Sequence, residues 1–264
     1  MRRTLFRRTA VAAVSAASLA LLVSGCGADA TAPDAKGKDK GASAAPEKSA
    51  EAPAGKALTS AELDKVLLTQ ADLATHLVKK GTKADEVELS ALKADKPECS
   101  PLLEAISSAP LGKPSAHALV KAVQKPDKMK VDPNATDEEK FEAGMGALTQ
   151  PVTADRVASY DGTGAQDAFA ALAKAGKDCA GGFNATQAGE KVKITKVVAD
   201  PVTGGDEAQG WILTMDMDGE KPMPIRVAAA RKGNALASFY TISLGGAVTA
   251  QPTGVIEAQL KKLG

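Results

Sequence analysis

The chain has 264 residues, 33 Lys+Arg against 32 Asp+Glu, and a formal net charge of +1. Its first 25 residues hold four arginines and no acid, so 33 bases less those 4 leaves 29 against 32 acids from Cys26 onward. Only Arg156, Arg226 and Arg231 remain there and aromatic residues make up 3% of the chain, which argues against nucleic acid, a partner met by a basic, arginine-bearing footprint.

Arg2, Arg3, Arg7 and Arg8 form a basic start, and an apolar run of Ala, Val and Leu follows over residues 10–23. The run is shorter than the ~20 apolar residues of a spanning helix and reads as a signal peptide over residues 1–25. Leu22-Val23-Ser24-Gly25-Cys26 resembles the bacterial lipobox. That resemblance implies cleavage before Cys26, a diacylglycerol thioether on it and an added acyl chain such as palmitate. An ordinary signal peptide with an incidental cysteine is the plainer alternative. Residues 26–56 read as the lipidated cysteine and a disordered tether. After Cys26 this stretch has five lysines, five acids and no large apolar side chain, too little to offset the entropy of ordering it.

Residues 57–264 read as one domain. Thr59-Ser60-Ala61-Glu62 has capping-box spacing ahead of Leu63, Val66 and Leu67. Thr69-Gln70-Ala71-Asp72 repeats the pattern and predicts a helix over 70–78 bearing Leu73, His76 and Leu77. Strand candidates are Val87–Ala91, Arg156–Tyr160 and Lys191–Val198. Ser100-Pro101 opens a helix with Leu102, Leu103 and Ile106 inward. The proline-broken stretch 107–150 reads as irregular, with the acidic 132–142 as mobile. Thr163-Gly164-Ala165-Gln166 predicts a capped helix with Phe169, Leu172 and Ala173 on one face and Gly176 as its stop. Trp211, Leu213, Met215 and Met217 alternate before an Asp218-Gly219 turn, as do Met223, Ile225, Val227 and Ala229 after it. Leu236, Tyr240, Ile242 and Leu244 share one face of a third strand, and a helix follows Pro252. The expected class is α+β: an antiparallel meander in the C-terminal half, packed with helices.

With Cys26 lipidated, Cys99 and Cys179 remain, and two thiols in an exported domain most simply pair. A reactive thiol is the alternative. No catalytic constellation is found. His76 and His117 lack metal-ligand spacing, and Ser90-Ala91-Leu92-Lys93 lacks the partner motifs of a penicilloyl-serine site. Asp216-Met217-Asp218-Gly219-Glu220 fits a hairpin turn better than a calcium loop, whose closing position here is Val227. Neither metal nor cofactor is expected. Trp211, Met215, Met217 and Met223 are the candidate ligand contacts, since methionine adapts to irregular apolar surfaces; a core role is the competing explanation.

Leu67-Leu68-Thr69-Gln70-Ala71-Asp72-Leu73, then Cys99-Ser100-Pro101-Leu102, Ala168-Phe169, Cys179-Ala180-Gly181-Gly182-Phe183 and the final helix follow a familiar order. The chain resembles actinobacterial envelope lipoproteins whose outer domain is similar to the extracellular sensor domain of the mycobacterial kinase PknH. The resemblance implies an α+β fold with a ligand cleft. Those sensors carry two disulfides, whereas this chain has cysteines for one. The expected function is non-enzymatic: a lipid-anchored module on the extracytoplasmic face of the cell membrane, binding an unknown small molecule or envelope protein. A carrier of lipids or other apolar envelope components, with a cavity at Trp211, is the alternative. An envelope hydrolase is the second.

Overall fold

The computed structural model describes residues 55–126, 136–243, 245 and 248–264, so the leader, Cys26 and Leu244 lie outside the described residues. A single helical turn α1 (Ser60–Leu63) precedes strands β1 (His76–Lys80) and β2 (Leu92–Ala94) and helix α2 (Ser100–Ile106). Strand β3 (Ala116–Gln124), helix α3 (Asp137–Leu148), strand β4 (Val152–Ser159) and helix α4 (Gly164–Asp178) follow. The chain then runs β5 (Phe183–Gln187), β6 (Glu190–Ala199), β7 (Glu207–Met215), β8 (Met223–Lys232), β9 (Ala235–Ile242) and helix α5 (Thr253–Leu263).

Among the described residues the strands form one sheet, ordered β1-β3-β4-β9-β8-β7-β6-β5-β2, with every pairing antiparallel. The α+β class holds, and the meander runs unbroken from β5 to β9. Each sheet face buries its own core. One joins Leu102, Leu103, Phe169, Leu172, Trp211 and Leu213 beneath α2 and α4. The other joins Leu63, Leu67, Val157, Phe239 and Ile256 beneath α1 and α5. Cys99, just ahead of α2, is disulfide-bonded to Cys179, just after α4, with Cα atoms 5.9 Å apart. The bond closes a separation of 80 residues, worth about 4.5 kcal/mol in the chain-entropy account.

Several elements differ from the sequence reading. The Thr69–Asp72 closure exists, with the Asp72 carboxylate accepting from Thr69 N and Oγ1 (both 2.7 Å), but it caps only a turn. His76 and Leu77 then belong to β1, because cross-strand pairing with β3 outweighs a short local helix. Residues 87–91 are not a strand: a 3-10 turn at Leu89–Ala91 leads into β2. The irregular stretch contains β3, and part of the acidic segment is α3, started by the Thr136–Glu139 capping box. Gly176 does not stop α4 but lies inside it. A Cβ there would overlap the Trp211 indole nitrogen, so glycine is what lets α4 close onto β7. Thr163 does not cap α4 through its side chain, which donates to Asp167 instead (2.9 Å).

Candidate functional site

Strand register assembles an apolar row at one edge of the sheet. Leu77 pairs with Val123, Val123 with Val152 and Val152 with Ile242, so one side chain from each of four neighbouring strands shares a face. This is the face that α2 and α4 cover farther along, over β2, β6, β8 and β9. Over β1, β3 and β4 no helix among the described residues covers the row: Leu77 is 48% exposed, and Val123 and Val152 are half-buried. Together with Gln70, Val78, Lys79 and Lys121 they line a mainly apolar cavity of about 600 Å³.

The next row sets Lys79 directly opposite Lys121. The segment 81–91, which contains no buried residue, crosses this face on two ion pairs. Asp85 accepts from Lys121 Nζ (2.6 Å), and that bond, with those from Thr82, lowers its carboxyl to about 2. Glu86 accepts from Arg156 Nη1 (2.9 and 3.0 Å). Arg156 is enclosed, donates through Nε to the Ser108 carbonyl (2.8 Å), and lies 3.0 Å from His117 Nδ1. A guanidinium only donates, so Nδ1 accepts and the imidazole is neutral with its proton on Nε2. Burial, then the arginine charge, lower the His117 pKa, while Glu86 opposes them.

Trp211 is 1% exposed and is core, packed on α4 at Gly176. Met215 and Met223 are cross-strand partners at the rim of that core, and Met217 is half-buried beyond the end of β7. These four residues do not meet at the apolar cavity, whose lining lies on the other side of β9. Asp216 bonds Lys193 (2.7 Å), and Asn184 bonds Asp95 (2.8 Å), beside a polar opening of about 560 Å³. His76 Nδ1 is 3.0 Å from Thr75 Oγ1, at another opening beside α5. The row was not legible in the sequence because Leu77 reads as part of a helix and Val123 lies in a stretch that reads as irregular; only the register of β1 and β3 with β4 and β9 unites them.

No family model and no curated protein matches this chain. Among solved structures, the extracellular domain of PknH from Mycobacterium tuberculosis is similar with a TM-score of 0.47 and 11% sequence identity, covering 79% of this chain and 96% of that chain.

Proposed function

We propose that the chain is a lipid-anchored, extracytoplasmic binding module that acts without catalysis and takes a small apolar ligand at the β1–β3–β4 cavity. The observation that carries the reading is the Leu77–Val123–Val152 row, which no described helix covers on a face that helices close elsewhere. A volume of about 600 Å³ is within the range of small-molecule sites. The lipobox-like Leu22–Cys26 supports the anchor, and the Cys99–Cys179 bond fits an oxidising compartment. A carrier enclosing cargo around Trp211 has less support, since that indole is packed against α4. The hydrolase has less still. Among the described residues His117 bonds Arg156, His76 bonds Thr75, and neither bonds a serine or an aspartate.

The test uses the mature-length chain, residues 26–264 with Cys26→Ser, which retains every described residue. Nile red is expected to give a saturable emission increase that Leu77→Glu abolishes without lowering Tm, because Leu77 is half-exposed on an edge strand. No increase with the parent chain, or an equal one with the variant, would reject the cavity as the site.

A further inference from the structure

The apolar cavity carries a charge that the fold itself does not neutralise. Lys79 and Lys121 are register partners on adjacent antiparallel strands and line the same opening. Like charges directly opposite one another destabilise a sheet pair. Asp85 offsets one of them through Lys121. Lys79 has no ion-pair partner among the described residues. Glu86, on the same crossing segment as Asp85, is engaged with Arg156. Lys80, the next residue on β1, points to the opposite face, where it pairs with Asp64 (2.6 Å). One positive charge therefore stands at the mouth of an apolar floor built by Leu77, Val123 and Val152.

We propose that this cavity takes a single-chain anionic amphiphile of the alkyl-carboxylate class, its chain along the Leu77–Val123–Val152 row and its head group on Lys79, with Lys121 adjacent. The assignment rests on the reading of the cavity as an apolar ligand site and adds the head group. The two cations already made costly by their apposition gain from an anion, and the apolar row gains from removing the chain from water. Lys79 supplies a point charge on a flexible stem rather than a rigid fork, so it selects for charge more than for head-group shape.

The same mature-length chain is titrated calorimetrically with decanoate, decanol and decyltrimethylammonium below their aggregation limits. Decanoate is expected to bind about fivefold tighter than decanol, the upper end for a partly exposed ion pair, with the cation weakest. Lys79→Gln should bring decanoate down to the decanol level and leave decanol unchanged, while Leu77→Glu should abolish both. Equal binding of decanoate and decanol overturns the head-group assignment and leaves the apolar site standing. No binding by any of the three overturns both. Decanoate affinity that survives Lys79→Gln places the anion elsewhere and overturns the assignment, as does association with phosphatidylglycerol vesicles without binding of monomeric decanoate.

Discussion

Asp155 sits on β4 between Val120 of β3 and Phe239 of β9, fully enclosed on the face covered by α1 and α5. Neither carboxyl oxygen has a hydrogen-bond partner among the described residues. Burial pushes its pKa well above the ordinary 3.8. Below the ordinary carboxylate range, folded and unfolded chains are both protonated at this group. As pH rises through that range the unfolded chain releases its proton while the folded one keeps it. Stability therefore falls with rising pH until the folded carboxyl also ionises. Asp155→Asn removes the ionisable group and keeps the shape. Urea unfolding should show the variant more stable by about 1 kcal/mol or more at about pH 8, where the parent must hold a proton that its unfolded chain has released, and close to the parent at about pH 4. A stability difference that is the same at both pH values would sink this account.

Helix α4 shows how one missing side chain fixes the distance between layers. Gly176 lies in its last turns, buried against Trp211 of β7. Glycine there costs helix propensity of up to ~1 kcal/mol relative to alanine. The close approach repays it, because the indole fills the space a methyl would occupy. Gly176→Ala is therefore expected to destabilise by about 1–3 kcal/mol despite the better helix former, through overpacking. Thermal unfolding by circular dichroism reads the sign, and a raised Tm would mean the helix can move off β7. The sequence shows why such a site reads wrongly: glycine near the end of an apolar periodic run has the signature of a helix stop. Elements whose local pattern agrees with their packing were legible, among them α2, α5 and the β7–β9 alternation. Strand β3 was not, since Ala116-His117-Ala118-Leu119-Val120 has small or apolar residues on both faces, as an interior strand between β1 and β4 requires. Strand β1 was hidden by a genuine Thr69–Asp72 cap whose helix never extends. The cavity at Leu77, Val123 and Val152 needs both of those strands beside β4, so it went unseen with them.

At the scale of the whole molecule, the chain enters the fold at one end of β4 and the cavity opens at the other. Ala57 N donates to Asp161 and Leu58 N to Ser159 Oγ (both 2.9 Å), beside the last residue of β4, whereas Val152 begins that strand. Eight residues of strand set the two ends roughly 25 Å apart. If the attachment is Cys26, as proposed, the anchored chain joins the domain at the end of β4 away from the candidate cavity. One acyl chain holds a protein only marginally, whereas a diacylglycerol with a further acyl group holds it stably. In an actinobacterial host supplied with labelled palmitate, the full chain is therefore expected to carry label and to sediment with membranes. Cys26→Ser should carry none and should persist with its leader uncleaved. Label retained by the variant would place acylation on another residue, and an unlabelled parent chain released into the medium would make residues 1–25 an ordinary signal peptide.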